Sequence, residues 1–339
     1  MLAKFSVEHP ELERQLLDLL TADTEDDKPL AEPIASSAKE LAETTTDPWD
    51  NRRIGTWTIT RRIADGGMGA VFLAERADDE YQQTVALKIM TAQLLAKDAV
   101  ARFRAERQIL ASLSHPNIAK LIDGGSTDEN LPYLVLEYVD GLPIDQYCDV
   151  HQLSIPERLQ LFMKVCRAVD FAHRNLVVHR DLKPNNILVD TNGEPKLLDF
   201  GIAKLLEDSS MQQTMAVTRE GMRAMTPEYA SPEQVRGEPI SVATDVYALG
   251  VLLYKLLTGQ SPYGVSTAVP REYEAAILDN EPRRPSTVVT LPDTDATIGA
   301  SRATSAQKLQ RRLAGDLDNI VLHALQKEPE RRYATAISL

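Results

Sequence analysis

Two short segments hold most of the polar side chains that could act together: His179-Arg180-Asp181-Leu182-Lys183-Pro184-Asn185-Asn186, and then Leu198-Asp199-Phe200-Gly201. A strand-and-turn pattern lies between them, so both are expected on loops flanking a short hairpin. In that setting Asn186 and Asp199 converge on a divalent cation while Asp181 faces an incoming hydroxyl. Mg²⁺ takes oxygen ligands and keeps several waters, so a carboxylate, an amide oxygen and a triphosphate suffice. This combination of residue types at this spacing is highly specific, and a chance loop is a poor alternative.

Two further segments fit the same chemistry less specifically. Val85-Ala86-Leu87-Lys88 reads as strand, where a lysine among small and apolar neighbours calls for an anion. Phosphates would supply one, and a carboxylate such as Glu106, in the helical stretch Phe103 to Leu110, could hold the ammonium in place. A solvent-facing lysine is the plainer reading of that residue alone. Upstream, Ile63-Ala64-Asp65-Gly66-Gly67-Met68-Gly69-Ala70-Val71 lies between two strand patterns, where glycines let backbone amides close over phosphates. An ordinary tight turn explains it equally well, and a dinucleotide fingerprint less well, because a strand follows where a helix should open.

Several elements must position these residues. Strand patterns cover Thr56 to Ile63, Ala70 to Glu75, Val85 to Met90, Ile118 to Asp123 and Tyr133 to Val139. Helical spacing covers Lys97 to Leu113, Pro156 to Asn175, Asp245 to Thr258 and Ala314 to Gln326. A strand-rich first part with one main helix, followed by a mostly helical part, predicts an α+β two-lobed fold. The Pro-, Thr- and Ser-rich stretch Val265 to Gln310 reads as holding a loop-like insertion.

At 339 residues the chain is long enough for two lobes. The net charge of −13 is uneven: residues 1–50 carry 13 acidic against 4 basic side chains, leaving the remainder near neutral. That acidic segment is expected to be a short helix over Glu11 to Leu20 and a partly disordered linker. No basic stripe points to nucleic acid, no apolar run spans a bilayer, and no secretory signal opens the chain. Cys148 and Cys166 have neither metal-site nor disulfide-framework spacing, which fits a reducing compartment, so a cytoplasmic location is expected.

Taken together, the motifs resemble the eukaryotic-type protein kinases, and the Gly-Gly-Met-Gly loop looks most like the bacterial serine/threonine branch. The resemblance covers about residues 57–339, with a small lobe near 57–139 and a larger helical lobe near 140–339. It implies ATP, with Mg²⁺ or alternatively Mn²⁺, and protein substrates bearing Ser or Thr. By position, Ile63, Gly66, Gly67, Met68, Gly69, Val71 and Ala86 match the phosphate loop and the adenine roof. Lys88 matches the α/β-phosphate lysine and Glu106 its helix partner. Glu137 to Val139 match the adenine-reading hinge, and Leu188 the adenine floor. Asp181 matches the catalytic base, Lys183 the γ-phosphate lysine, Asn186 and Asp199 the metal ligands, and Thr226 the threonine beside the acceptor hydroxyl. Asp245 matches a buried brace of the catalytic loop, and Glu233 and Arg332 a structural ion pair. Ala64 replaces the first loop glycine, which implies weaker nucleotide binding and retained activity.

Lys183 and Thr226 favour Ser/Thr over Tyr acceptors. Arg180 beside Asp181 implies control by phosphorylation of the segment from Gly201 to Thr226, with Thr214 and Thr218 preferred over Ser209 and Ser210, by the chain itself in a transient homodimer. Small-molecule phosphotransferases share a related ATP site but usually lack the Lys-Pro after the base and the Ser-Pro-Glu segment present here. A catalytically silent binding module is disfavoured by the complete set of metal, phosphate and proton residues. The chain reaches Leu339 within an expected closing helix, so a continuation, including a membrane anchor, is compatible with it.

Overall fold

The computed structural model describes residues 47–66, 69–78, 80–90, 107–108, 110–200, 227–264, 269–291 and 298–339. The chain divides into two units, Met1–Asp50 and Asn51–Leu339. The first is described only over 47–50, a turn in which Asp50 N donates to Asp47 O at 2.9 Å. Its expected helix and most of its linker lie outside the described residues.

The second unit opens with a six-stranded antiparallel sheet. Its strands are β1 (Arg53–Ile54), β2 (Trp57–Gly66), β3 (Gly69–Arg76), β4 (Thr84–Met90), β5 (Leu121–Ser126) and β6 (Pro132–Glu137), ordered β1-β2-β3-β4-β6-β5. Alternation gives the sheet two unlike faces. Phe72, Ala74, Val85 and Leu87 are wholly buried on one, whereas Val71, Leu73, Ala86 and Lys88 are half-buried on the other. The pairs Val71↔Lys88, Leu73↔Ala86 and Ala86↔Leu136 run across that second face. Lys88 is thus compatible with its strand because it stands on the face that is not sealed.

A second sheet joins β7 (Gly141–Pro143), β8 (Ile187–Asp190) and β9 (Pro195–Leu197), ordered β7-β8-β9. Gly141 is required there, since a Cβ would lie 2.3 Å from Val189 O. The expected strand at Ile118 begins later, at Leu121, and the reason is packing. Ile118 is buried in the large-lobe core and bridges in parallel to Leu197, which draws residues 117–120 onto β9.

Helices build the rest: α1 (Ile144–Val150), α2 (Ile155–Arg174), α3 (Pro232–Arg236), α4 (Val242–Thr258), α5 (Pro270–Asp279), α6 (Pro285–Val288), α7 (Ala306–Leu313) and α8 (Asp316–Ala324). α2 starts at a capping box in which Ser154 N donates to Glu157 Oε2 at 2.8 Å, with Pro156 in its first turn. α4 is apolar almost all round and accordingly lies at the centre of the core, capped by Ser241 and stopped at left-handed Gly259. The stretch read as holding a loop-like insertion carries α5, α6 and the start of α7 among its described residues. Burial holds these short helices in place, with Ile277, Val288 and Leu309 all at 1% exposure or less.

Two arginines without a sequence signal finish α4. Arg158 Nη1 donates to Leu256 O at 3.1 Å, and Arg302 Nε and Nη2 to Leu257 O and Leu256 O at 3.1 and 3.2 Å. Both guanidiniums therefore satisfy carbonyls left open at the helix end and complement its dipole. Burial pushes the Cys148 thiol up to about 11 and the Cys166 thiol higher still, so neither is poised to react.

Candidate active site

The loop carrying Asp181 is held from below by one carboxylate. Asp245, in the first turn of α4 and fully buried, accepts from His179 N at 2.7 Å and from Arg180 N at 2.8 Å. Its Oδ2 also accepts from His173 Nε2 of α2, at 2.7 Å. This clamp supports Arg180 at φ 67°, a left-handed conformation that a non-glycine residue adopts only with support.

His179 ties that loop to the second motif. Burial pulls its imidazole below the ordinary range, with the Asp245 charge as the main opposing influence, so the ring is neutral near pH 7. Its Nε2 lies 2.8 Å from Leu198 O, and a carbonyl can only accept, so the proton sits on Nε2. Nδ1 is then free to accept from Asp181 N at 3.3 Å. A further bond, Leu198 N to Asn186 O at 2.8 Å, joins the two loops directly.

The candidate side chains form two bonded groups across that junction. In one, Asn186 Nδ2 donates to Asp181 O at 2.7 Å and to Asp181 Oδ2 at 3.0 Å, while Lys183 Nζ pairs with the same Oδ2 at 2.9 Å. In the other, Lys88 Nζ reaches Asp199 Oδ2 at 2.7 Å, and Asp199 has φ 46°. With its amide nitrogen committed to Asp181, Asn186 has its amide oxygen left for a cation. Asp199 brings a carboxylate one residue beyond Leu198. Among the described residues, no three His, Cys, Asp or Glu side chains form a ready-made metal cage. An amide oxygen and a carboxylate, completed by phosphate oxygens and water, suit a hard cation such as Mg²⁺.

The other predicted residues distribute as follows. Val71 and Ala86 share the half-buried face with Lys88, Leu188 lies half-buried on β8, Glu137 is the last residue of β6 and Val139 stands two residues beyond it. Ile63 is 38% exposed on β2, and Gly66 pairs with Gly69 at the end of the β2–β3 hairpin. Gly69, at φ 146°, cannot be replaced without strain, since a Cβ would lie 2.1 Å from Ile89 O. Gly67, Met68, Glu106, Thr226 and the candidate phosphorylation residues Thr214 and Thr218 lie outside the described residues.

Comparison with known proteins agrees with this geometry, because the protein kinase domain family matches residues 57–337. The chain belongs to the protein kinase family. The kinase PknB of Mycobacterium tuberculosis is 36% identical over 282 residues, covering 81% of this chain and 40% of that protein. PrkC of Bacillus subtilis is 34% identical over 284 residues, covering 83% and 39%. Both are named as serine/threonine-protein kinases, and this chain spans about two fifths of their length. The crystal structure of the M. tuberculosis PknI kinase domain shares its fold, with a TM-score of 0.60 at 24% identity, covering 85% of this chain and 94% of that one.

The kinase's large lobe is locked by the pair expected at Glu233 and Arg332. The guanidinium donates from Nη1 and Nη2 to the two carboxylate oxygens at 2.7 Å each, and both side chains are buried. Burial alone would raise the Glu233 carboxyl, but the bonds and charge of Arg332 hold it below the usual carboxylate range. Gln234 Nε2 then donates to Arg180 O at 3.0 Å, so this lock also touches the loop that carries Asp181. The contacts of His173 with Asp245 and of Gln234 with Arg180 gave no sign in the sequence, since only the fold creates them.

Proposed function

We propose that this chain transfers the γ-phosphoryl group of ATP to serine and threonine hydroxyls of proteins, including residues of its own segment 201–226. The observation that carries the reading is the pair of bonded groups, Asp181 with Lys183 and Asn186, and Lys88 with Asp199, joined through Leu198 and Asn186.

Asp181 accepts the acceptor hydroxyl's proton as its oxygen bonds to the γ-phosphorus and the bridge to the β-phosphate breaks, releasing ADP. Lys183, already beside Asp181, is placed to offset negative charge on the transferring group, and Lys88 to offset charge on the remaining phosphates. Asn186 and Asp199 would hold Mg²⁺, with Mn²⁺ as a substitute, and the bound cation would neutralise phosphate charge. Most of the acceleration then comes from alignment in a prearranged electrostatic setting. Val71, Ala86 and Leu188 offer apolar surface for the adenine, and the backbone of Glu137 to Val139 offers its polar edge.

The substrates are proteins, and autophosphorylation proceeds between two copies meeting transiently. No helix among the described residues is long and apolar enough to cross a membrane, and both cysteines are free. Those observations favour action in the cytoplasm. Transfer of labelled phosphate from γ-labelled ATP to a generic protein, followed by phosphoamino-acid analysis, tests the reading. Wild type should yield phosphoserine and phosphothreonine, and Asp181→Asn should yield neither. Equal labelling by both proteins would overturn it.

A further inference from the structure

Glu137 ends β6, at the point where the chain leaves the small lobe. One of its carboxylate oxygens receives Lys196 Nζ at 2.7 Å, and the other accepts from Lys120 N at 3.1 Å, while Glu137 N donates to Lys120 O at 2.8 Å. Lys196 is the middle residue of β9, three residues before Asp199. Its strand neighbours Pro195 and Leu197 are buried, so alternation turns Lys196 to the opposite face, beside its cross-strand partner Leu188. One ammonium therefore links β9, the strand paired with the one that carries Leu188, to Glu137, the first residue of segment 137–139.

We propose that Lys196 is a positioning residue for the nucleotide: its ion pair with Glu137 fixes the Glu137–Val139 backbone against the Leu188 floor. The proposal rests on reading this cleft as the ATP site. A partly exposed ion pair is often worth little, because two long side chains must be ordered to form it. Here that cost is small. Glu137 is already fixed by the Lys120 amide, and the Lys196 side chain is only 19% exposed.

The rest of the junction does not depend on Lys196. Ala119 N donates to Leu197 O at 2.9 Å, Leu197 N to Asn117 O at 2.8 Å, and Asn117 Nδ2 to Pro195 O at 2.8 Å. Segment 117–120 thus stays on β9 when the lysine charge is removed, and Glu137 keeps its bonds to Lys120 but loses its direct tie to β9. The consequence is selective: the adenine loses a preorganised edge, while the phosphate-handling groups keep their bonds.

The test compares wild type, Lys196→Met and Lys196→Arg in the full chain. Calorimetry gives the affinities for Mg²⁺·ATP and Mg²⁺·tripolyphosphate, and steady-state transfer gives kcat and KM. Lys196→Met should weaken ATP binding and raise its KM roughly threefold to tenfold, the range for losing one hydrogen bond of ordinary net strength, with kcat within about twofold. Tripolyphosphate, which lacks adenine, should bind as to wild type, and Lys196→Arg should behave like wild type. Unchanged ATP affinity in Lys196→Met overturns the proposal, and so does an equal loss for tripolyphosphate. If wild type binds ATP but transfers no phosphate, the catalytic reading fails, and the affinities still decide the role of Lys196.

Discussion

Replacing Asp245 with Asn isolates the support of the catalytic loop from the chemistry performed on it. The carboxylate gives two acceptor oxygens to three donors, His179 N, Arg180 N and His173 Nε2, all within 2.8 Å. An amide of the same shape gives one oxygen and turns two N–H groups toward a donor. At least one charge-assisted bond is lost, roughly 1.5–3 kcal/mol, and a buried donor is left unmatched, about 1–3 kcal/mol more. Arg180 at φ 67° adds pressure in the same direction, because a left-handed residue relaxes by roughly 1–2 kcal/mol once its clamp opens. If about 3 kcal/mol of that total appears as misplacement of Asp181, kcat falls about a hundredfold. The KM for ATP should change much less, since Lys88 and Asp199 are bonded to each other and not to Asp245. Steady-state transfer at saturating ATP measures this, with calorimetric unfolding on the same samples. Wild-type kcat in Asp245→Asn would refute the reasoning, as would a loss confined to KM.

Three further outcomes follow from single contacts. Arg332→Met leaves Glu233 buried without its partner and should cost about 3–5 kcal/mol in denaturant unfolding, whereas removing both charges together should cost less than the single change. Leu176 is 93% exposed and has φ 61°, so its side chain contributes no burial while its backbone is strained. Leu176→Gly should stabilise the fold by about 0.5–1 kcal/mol, the left-handed relief less the cost of glycine's unfolded freedom; a lowered Tm would contradict this. His115 and His179 have imidazoles lowered mainly by burial, so the unfolded chain binds protons first as pH drops. Unfolding free energy should therefore fall as pH decreases below about 6.5, and a flat profile between pH 7 and 5.5 would count against neutral buried rings.

The site was legible where chemistry restricts residue type. Asp181, Lys183, Asn186 and Asp199 stand at a spacing that few folds other than this one would demand, and Lys88 was conspicuous as a cation on an otherwise apolar strand. Other features depend on what the fold brings near. The pairing of Lys88 with Asp199, the reach of Lys196 to Glu137 and the capping of α4 by Arg158 and Arg302 join residues 45 to 111 positions apart. Nothing local marks them. Element boundaries failed for the same reason: Ile118 looked like the start of a strand, but its side chain belongs to the core of the other lobe. The short helices α5 and α6 span ten residues or fewer and are held by burial of a few residues such as Ile277 and Val288.

The central claim is that Lys88, Asp181, Asn186 and Asp199 surround one metal–triphosphate group. Calorimetric titration of Mg²⁺ with a non-hydrolysable ATP analogue into wild type, Asp181→Asn and Asp199→Asn tests it most directly. Wild type and Asp181→Asn should bind alike, because the base does not hold the nucleotide, while Asp199→Asn should lose most of the Mg²⁺-dependent part of the affinity. Mg²⁺-dependent binding by Asp199→Asn that matches wild type would contradict the account.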